Sequence, residues 1–544
     1  MSPVFLNSQE LESNKNDSLF DFADSLSIRV PTSCGRTGEC HECIVEVRKG
    51  MDALTPATDE EKFLRGDYRL ACQACVADPE ADIEFAVLRR QPRILTTGVK
   101  RKTEIKPAYV RVDDDVVFVG GSEGPVIVDK YRDAIYGIAA DLGTTTVVMN
   151  LINLETGETA YTASFENPQR FGGSDIMNRI VYDGSDDAGE LRAVMVSSIN
   201  FEIGEMVRAL KIRRRQIFEF VAVGNTTMRE LFFGIDVQSI GQRPYKSSVE
   251  DDFRANKRTT TALSTTASAL GLRIHPKATV YGGPLIASHL GADTAADLLA
   301  IGIEDQIEPV ILVDVGTNTE VVIGNRDRLL AASCPAGPAF EGGEVTYGMP
   351  GYDGAVEKVT ISKTGEADSV VIGDADPVGI CGSGLIDLLA ELRRTDLMNV
   401  LGKFNDGAEE YEFSSENNLT LSRADVSALA QAKAANYCGQ AIVLREYGLP
   451  IDGFEKLYLA GGFANYVDEK NAIDIGFIAN MPLDKVEKIG NASLEGAGIM
   501  LLSTVKREEI EKLTATIEHV ELETAPDFFD FFVEGCHFKP MDDI

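Results

Sequence analysis

The hydrophobic and polar positions divide the chain into stretches with different periodicity. Residues 1–92 contain short runs in which apolar and polar residues alternate, such as Ile83-Glu-Phe-Ala-Val. This alternation is typical of strands with one buried face. Residues 93–133 hold only short extended pieces, around Val116 and Val126, and are expected to form a linker segment.

From Tyr136 onward the pattern becomes that of long α/β layers. Continuous apolar strands alternate with helical stretches and glycine-rich turns, and a loose internal duplication is visible. The strands with the strongest apolar character begin at Gly137, Phe220, Val310 and Lys456. The pattern therefore predicts more than one domain, with a large α/β part after a small N-terminal one.

Composition narrows the classes of function. A chain of 544 residues, 44% apolar and 25% charged, is typical of a globular protein with several cores. It contains no run of about 18 apolar residues, and its N-terminus lacks a signal-peptide pattern, so we expect a cytoplasmic protein without a membrane partner. The formal net charge of −34 argues against nucleic acid as a partner, because phosphate binding needs basic clusters.

Five of the nine cysteines are concentrated between positions 34 and 75. Cys34, Cys40 and Cys43 share one short loop, and Cys72 and Cys75 follow later. Thiolates are soft ligands, and three on one loop with a distant fourth can enclose two irons. We therefore predict a [2Fe–2S] cluster held by Cys34, Cys40, Cys43 and Cys72. Cys75 is the spare thiol, although five thiols for four positions leave that assignment open.

A structural zinc site is the alternative for the same cysteines. Cys40 and Cys43, together with Cys72 and Cys75, form two Cys-x2-Cys pairs of the kind that bind zinc. This alternative leaves the loop that starts at Cys34 without a role. His41 is expected to be a solvated loop residue, since the absence of a second nearby histidine argues against a Rieske-type site.

Two segments repeat an Asp-x-Gly-Thr pattern directly after a buried strand, at Asp141 and Asp314. Backbone N–H groups in such a hairpin can bind phosphates, and the aspartate can hold a hydrated Mg²⁺. We predict Asp141 and Asp314 as the catalytic residues of an ATP site. The predicted nucleotide-binding residues around them are Gly143, Thr144, Thr145, Gly316, Thr317 and Asn318.

A third segment adds a place for the nucleoside. Gly461 and Gly462 directly follow the strand that contains Leu457, and an adenosine could lie flat on their backbone. A small-residue helix is expected after Asn491. The sequence contains no Walker A motif, which argues against a P-loop fold.

These residues together resemble the ATP-dependent reductive activators of corrinoid-dependent enzymes. The resemblance covers nearly the whole chain. Besides the cysteines and the two Asp-x-Gly-Thr segments, similar stretches begin at Val223, Cys334, Gly379 and Ala460. Some relatives carry additional cysteines for [4Fe–4S] clusters near the C-terminus, where this chain has only Cys536, so one cluster per chain is expected.

The resemblance implies a fold with defined parts. It implies an α+β β-grasp ferredoxin domain, a linker segment and a two-lobed α/β actin-like (ribonuclease-H-like) ATPase body. The expected bounds of these parts are 1–92 for the ferredoxin domain, 93–133 for the linker, 134–304 for the first lobe and 305–544 for the second lobe.

The resemblance also implies cofactors and partners. The cofactors are a [2Fe–2S] cluster, ATP and Mg²⁺. The partners are an inactive Co(II) corrinoid protein or corrinoid-dependent methyltransferase, which is returned to Co(I), and an upstream electron donor. A homodimer is an oligomeric state that the sequence allows.

The residues by themselves are also compatible with two other functions. One is a small-molecule kinase of the sugar-kinase type with a redox-sensing cluster, for which Asp175 or Asp293 could serve as the catalytic base. The other is a nucleotide-gated docking module with a structural zinc site.

Overall fold

The computed structural model divides the chain into two compact units. It describes residues 4–6, 9–12, 14–88, 100–121, 124–373, 375–415, 417–462 and 464–541. Unit 1 comprises Met1–Gln91, Pro107–Arg258 and Leu263–Gly282, and unit 2 comprises Pro92–Lys106, Thr259–Ala262 and Gly283–Ile544. The expected junction between residues 92 and 93 lies outside the described residues.

The N-terminal part of unit 1 is a five-stranded sheet around one helix. Its elements are β1 (Val4–Leu6), β2 (Gln9–Leu11), α1 (Leu19–Ser25), β3 (Ile44–Lys49), β4 (Tyr68–Leu70) and β5 (Ile83–Val87). The strand order is β2-β1-β5-β3-β4, with β1 and β5 parallel and the other pairs antiparallel. Helix α1 begins at a capping box formed by Ser18 and Asp21, and its Phe22 ring lies 6.5 Å from that of Phe85 on β5.

A three-stranded antiparallel meander follows in unit 1. It consists of β6 (Tyr109–Val112), β7 (Asp115–Phe118) and β8 (Val126–Lys130). The extended pieces expected around Val116 and Val126 are confirmed. Tyr109 anchors the meander to the large sheet of unit 1, because its Oη lies 2.7 Å from Thr279 Oγ1.

The remainder of unit 1 is an α/β lobe. Its elements are β9 (Tyr136–Leu142), β10 (Thr146–Asn153), β11 (Thr159–Glu166), α2 (Ile176–Asp183), α3 (Glu190–Leu210), β12 (Ile217–Val223), α4 (Thr226–Phe233), α5 (Ser248–Arg254), β13 (Leu263–Thr266), α6 (Ala267–Leu270) and β14 (Thr279–Gly282). The strand order is β11-β10-β9-β12-β14-β13.

Unit 2 contains a second α/β lobe with smaller sheets beside it. Its elements are α7 (Ala292–Ile301), β15 (Val310–Val315), β16 (Thr319–Asn325), β17 (Arg328–Cys334), β18 (Ala355–Ile361), β19 (Ala367–Val371), β20 (Gly379–Ile380), α8 (Gly382–Arg394), β21 (Glu410–Ser414), β22 (Leu419–Ser422), α9 (Arg423–Tyr447), β23 (Leu457–Ala460), α10 (Glu469–Asp474), β24 (Val486–Gly490), α11 (Ala492–Leu502), α12 (Thr504–Thr514), β25 (Glu518–His519) and α13 (Phe528–Gly535). The large sheet has the order β24-β23-β15-β16-β17-β25.

The two large sheets share one topology. In each, the first strand (β9 or β15) pairs antiparallel with the next strand along the chain and parallel with a strand that arrives after a helix. The turn after each of these first strands carries an Asp-x-Gly-Thr segment. The predicted internal duplication and the predicted fold classes are therefore confirmed. None of the helices in the described ranges is both long and apolar enough to cross a bilayer.

Candidate functional site

The four predicted cluster ligands form two pairs of thiols in unit 1. Cys43 at the start of β3 donates a hydrogen bond to Cys72 after β4, with 3.4 Å between their sulfurs. Cys34 and Cys40 lie near each other, and each changes the pKa of the other's thiol. We call residues 34–43 the cluster loop. Cys75 belongs to neither pair. Its backbone N–H donates to Thr55 Oγ1, and its backbone pairs with that of Ser18. Among the described residues, its thiol donates to none of the four other sulfurs.

Hydrogen bonds to sulfur lower the pKa of one thiol in each pair. Desolvation disfavours the thiolate of Cys34, but bonds from Thr37, Cys40 and the backbone of Gly38 outweigh it and bring the pKa of Cys34 to about 6. The bond from Cys43 brings the pKa of Cys72 to about 7. That same bond, together with burial, raises the pKa of Cys43. The surroundings of Cys34 and Cys72 therefore favour the thiolate, which is the form that binds iron, whereas those of Cys40 and Cys43 favour the thiol.

The thiol pairs fit a two-iron cluster better than a zinc ion. A cluster with four thiolates gives each iron two of them, and the structure offers two such pairs. A structural zinc ion needs four donors that converge on one point. Of the two arrangements, the pairs match the cluster.

His41 in the cluster loop is not the solvated residue that the sequence suggests. Its Nδ1 donates to Glu190 Oε2 at 2.9 Å, and its ring stacks on Phe63 at a centroid distance of 4.1 Å. Glu190 begins α3 in the α/β lobe of unit 1. The expectation was wrong because both partners are distant in sequence from the loop.

The first Asp-x-Gly-Thr segment, residues 141–146, forms a tight turn between β9 and β10 that we call the first loop. Asn167 Nδ2 donates to the Gly143 carbonyl at 2.7 Å, and Asn225 Nδ2 donates to Thr144 Oγ1 at 3.0 Å. A Cβ on Gly143 would lie 2.4 Å from the Thr146 carbonyl, so only glycine fits this turn. Amide side chains thus hold the loop by two of its oxygen atoms.

Arg179 on α2 is a site residue that sequence reasoning missed. It is fully buried, and its guanidinium donates to the Thr144 carbonyl at 2.7 Å and to the Gly173 carbonyl at 3.0 Å. Burial, with a contribution from Arg170, lowers the pKa of Arg179 to about 9. A buried cation behind the first loop favours an anion in front of it. The sequence signal that could have identified Arg179 is weak, because it is one arginine in an amphipathic helix.

The second Asp-x-Gly-Thr segment, residues 314–319, lies between β15 and β16 in unit 2 and is called the second loop. The Gly316 N–H donates to the Asn318 carbonyl at 3.0 Å, and Thr317 Oγ1 donates to Glu341 Oε2 at 2.7 Å. A Cβ on Gly316 would be no closer than 3.3 Å to its neighbours. This loop is therefore more open than the first.

Four carboxylates gather beside the second loop: Asp293, Asp297, Asp314 and Glu320. Desolvation, reinforced by Asp314, raises the pKa of Asp293 to about 6, and desolvation also raises the pKa of Asp314. Burial and the neighbouring carboxylates hold the pKa values of Asp297 and Glu320 well above their usual range. Like charges held together in a buried position call for a cation.

The acidic group fits a hydrated magnesium ion. Asp297 Oδ1 accepts a hydrogen bond from Ser493 at 2.9 Å, whereas its Oδ2 is buried without a hydrogen bond. The carboxylates are not gathered closely enough to coordinate one ion directly. Mg²⁺ typically keeps several waters and contacts its carboxylates partly through them. The orphaned oxygen and the shared negative charge are consistent with such an ion.

The glycine pair lies at the same sheet edge as the second loop. Strand β23 runs parallel to β15, with Ala460 opposite Asp314, so Gly461 and Gly462 emerge where the second loop begins. A Cβ on Gly461 would lie 2.1 Å from the Val315 carbonyl, and its φ of +116° is left to glycine. Gly462 has open space around it. Phe463 lies outside the described residues.

The small-residue helix predicted after Asn491 supports the acidic group. Helix α11 packs directly on α7, and a Cβ on Gly496 would lie 2.0 Å from the Ala296 carbonyl. This close approach allows Ser493 on α11 to reach Asp297 on α7. Of the two candidate kinase bases, Asp175 only caps α2, whereas Asp293 belongs to the acidic group.

Comparisons with known proteins agree with this geometry. A family model described as the C-terminal domain of RACo, the ASKHA domain, matches residues 308–543, and one described as the RACo middle region matches residues 136–306. A model of the 2Fe-2S iron-sulfur cluster binding domain matches residues 4–77. The N-terminal part is thus a ferredoxin-type domain that supports an iron–sulfur cluster.

Similar proteins include curated relatives and a solved structure. Corrinoid activation enzyme RamQ of Eubacterium limosum is 28% identical over 97% of this chain and 98% of its own length. The Co(II) methylated amine-specific corrinoid protein reductase of Methanosarcina barkeri is 24% identical over 73% of this chain and 76% of its own length. A structure titled reductive activator for corrinoid, iron-sulfur protein matches with a TM-score of 0.73 and 27% identity, over 100% of this chain and 99% of that one. With the ferredoxin, middle and C-terminal parts all matched in order, the chain belongs to the RACo family.

Proposed function

We propose that this protein is an ATP-dependent reductive activator. It passes one electron from a [2Fe–2S] cluster to an inactive Co(II) corrinoid protein or corrinoid-dependent methyltransferase and restores Co(I). The observation that carries the proposal is the joining, in one chain, of two cysteine thiol pairs with two phosphate-type loops on duplicated lobes. Relatives that match this chain over nearly its full length carry names of corrinoid activation.

The electron-transfer part rests on the cluster loop. Cys34, Cys40, Cys43 and Cys72 would hold the cluster, which supplies one electron at a potential of about −400 mV for plant-type centres. Each ~59 mV by which the acceptor lies below the donor costs a factor of ten in a one-electron equilibrium. A nucleotide that binds one protein state more tightly than another can offset such factors. This is the reason for an ATPase on the same chain.

The nucleotide part rests on the two loops. N–H groups of the first loop, backed by Arg179, would bind phosphate oxygens. Asp141 and Asp314 would hold the waters of Mg²⁺, with Asp293 and Asp297 supplying further negative charge. The adenosine would lie on Gly461 and Gly462. Thr144, Thr145, Thr317 and Asn318 would complete the phosphate contacts.

The iron–sulfur cluster indicates the cellular compartment in which the protein would work. A solvent-accessible thiolate cluster of low potential suits the reducing cytoplasm, where a reduced electron carrier would serve as the upstream donor. A homodimer is the oligomeric state we propose, and light scattering of the purified protein would test it.

The decisive experiment follows cobalt directly. Cluster-loaded protein, an electron donor, Mg²⁺ and ATP are mixed with a corrinoid protein, and the visible spectrum reports Co(II) and Co(I). We expect Co(I) only when both ATP and the cluster are present. Equal Co(I) yield without ATP would refute the proposal. Cys72→Ala should abolish the chromophore and the reaction, and Cys75→Ala, its matched control, should retain both.

The alternatives predict other outcomes in the same preparation. A zinc-containing docking module would be colourless and would bind nucleotide without reducing cobalt. A sugar-type kinase would consume ATP with an added hydroxyl substrate without reducing cobalt, and Asp293→Asn would stop that consumption.

A further inference from the structure

His41 of the cluster loop contacts Glu190 of the α/β lobe and the Phe63 ring of the ferredoxin part. His41 lies next to the predicted ligand Cys40, donates to Glu190 on α3 at 2.9 Å, and stacks on Phe63 with an interplanar angle of 18°. Phe63 is buried, with 4% of its surface exposed. A movement of Phe63 therefore reaches the cluster loop directly.

An aromatic column continues from Phe63 into the lobe. The Phe63 ring meets Phe171 edge-on at 5.4 Å, and Phe171 meets Tyr182 edge-on at the same distance. Tyr182 Oη closes the column by donating to the Phe63 carbonyl at 2.6 Å. All three rings are buried in one hydrophobic core, which contains residues of both the ferredoxin part and the lobe.

The far end of this column holds the first loop. Phe171 belongs to the short helical turn Pro168–Gly172, and Asn167 caps the N-terminus of that turn. Asn167 donates from Nδ2 to the Gly143 carbonyl at 2.7 Å and from its backbone N–H to the Thr145 carbonyl at 2.8 Å. Helix α2, which carries Tyr182, also carries Arg179, the donor to Thr144.

The turn has no room to absorb a shift of the loop. A Cβ on Gly172 would lie 2.7 Å from Leu191 and 3.1 Å from Tyr182, and one on Gly173 would lie 2.3 Å from Asn178. Close-packed interiors transmit displacements because few voids are available. Phe171 and Phe63 thus lie on a close-packed path from Gly143–Thr145 to the cluster loop.

We propose that His41, Phe63, Phe171 and Tyr182 couple nucleotide binding at the first loop to the redox state of the cluster. The inference rests on the proposed function and deepens it. Phe63 is a positioning residue for the cluster loop, and Glu190 holds the His41 ring against the Phe63 ring.

Coupling between two sites is reciprocal, so a nucleotide that shifts the cluster potential must bind the oxidised and reduced protein with different affinity. A tenfold ratio of affinities corresponds to ~59 mV.

The test measures the affinity of a non-hydrolysable ATP analogue with Mg²⁺ for full-length, cluster-loaded protein, anaerobically, in the oxidised and the reduced state. For the wild type we expect Kd values that differ at least about fivefold, the lower bound typical of allosteric coupling. In Phe63→Leu the ratio should fall below twofold while the Kd of the oxidised protein stays within twofold of wild type. A dye-mediated titration of the cluster with and without the analogue gives the reciprocal shift in potential.

Two further variants keep the inference testable if Phe63→Leu binds no cluster. Glu190→Gln weakens the hold on His41 at a partly exposed position and should also lower the ratio. Glu205→Gln is the matched control, since its ion pair with Arg29 at 2.6 Å joins the ferredoxin part to the same helix but contacts no member of the column. It should leave the ratio unchanged.

The outcomes separate this inference from the proposed function. Tight binding with equal Kd in both redox states overturns the coupling and leaves the reductive activator intact. Absence of binding in either state overturns the proposed ATP site itself. Loss of coupling in Glu205→Gln to the same extent as in Phe63→Leu also overturns the column as the route.

Discussion

The two Asp-x-Gly-Thr loops have the same place in duplicated sheets but opposite electrostatic surroundings. The first loop lies against Asn167, Asn225 and the buried guanidinium of Arg179. The second lies against a group of carboxylates whose pKa values are raised by burial and by one another. The same kind of backbone turn therefore lies among groups that favour an anion in unit 1 and among groups that call for a cation in unit 2.

In the proposed function, the first loop contributes phosphate contacts and the acidic group beside the second loop contributes charge to hold Mg²⁺. A phosphate group is stabilised by N–H donors and positive charge, whereas Mg²⁺ is stabilised by carboxylates and water. The four predictions below test this contrast between the loops, beginning with the largest expected effect.

Replacing Asp314 should separate catalysis from stability. In Asp314→Asn we expect ATP turnover to fall by about 10²–10³-fold, the scale of losing one electrostatic contact to the transition state. The Mg²⁺-free protein should nevertheless melt at a higher temperature, because a like charge near Asp293 and Asp297 is removed. Steady-state phosphate release and a thermal melt without Mg²⁺ measure the two effects.

The first loop provides the control for this variant. Asp141→Asn should also lower turnover but should give no gain in melting temperature, since the described contacts of the first loop come from two amide side chains and a guanidinium. If Asp314→Asn and Asp141→Asn shift the melting temperature equally, the contrast between the loops is wrong.

Removal of the buried cation should loosen the first loop. Arg179→Met keeps the apolar stem but leaves the Thr144 and Gly173 carbonyls without their donor, and each unsatisfied buried group costs about 1–3 kcal/mol. We expect the free energy of unfolding to fall by about 2 kcal/mol or more and nucleotide affinity to fall with it. Urea denaturation and equilibrium binding check both. Unchanged stability would contradict the role assigned to Arg179.

The glycines of the two loops should respond unequally to a methyl group. Gly143→Ala places Cβ 2.4 Å from a carbonyl oxygen, whereas Gly316→Ala places it 3.3 Å from its nearest neighbour. Overpacking of this kind costs about 1–3 kcal/mol, so the first variant should lose that much and the second under about 1 kcal/mol. Parallel urea titrations compare them, and equal losses would mean that the second loop is not the more open one.

The acidic group should make the effect of Mg²⁺ depend on pH. The folded-state pKa of Asp293, about 6, lies above the ordinary value near 3.9. The folded protein therefore binds more protons than the unfolded one between about pH 4 and 6, and stability contributed by this carboxyl is lost as pH rises through that window. Mg²⁺ needs the ionised form, so it should raise the melting temperature more at pH 7.5 than at pH 5.5. A stabilisation by Mg²⁺ that does not change with pH would count against this group as the cation site.

Much of the site could be predicted from the sequence, because its signals are local. The cysteine spacing, the Asp-x-Gly-Thr segments and the glycine pair each lie within one short segment after a strand. The assignment of individual site residues remains a prediction that the proposed variants test.

The sequence by itself determined the two modules, the α/β duplication and the prediction of iron–sulfur and nucleotide chemistry. These inferences depend only on the periodicity and spacing of residues that are close together in the chain. Only the tertiary structure decided that His41 meets Glu190, 149 positions away, and that Arg179 lies behind Thr144, 35 positions before it. It also decided that Asp297 and Glu320 join Asp314 beside one loop. These features depend on which elements pack together. The burial of a residue and its pKa depend on its neighbours in space. Many of those neighbours come from distant segments, so they are present only after the chain has folded.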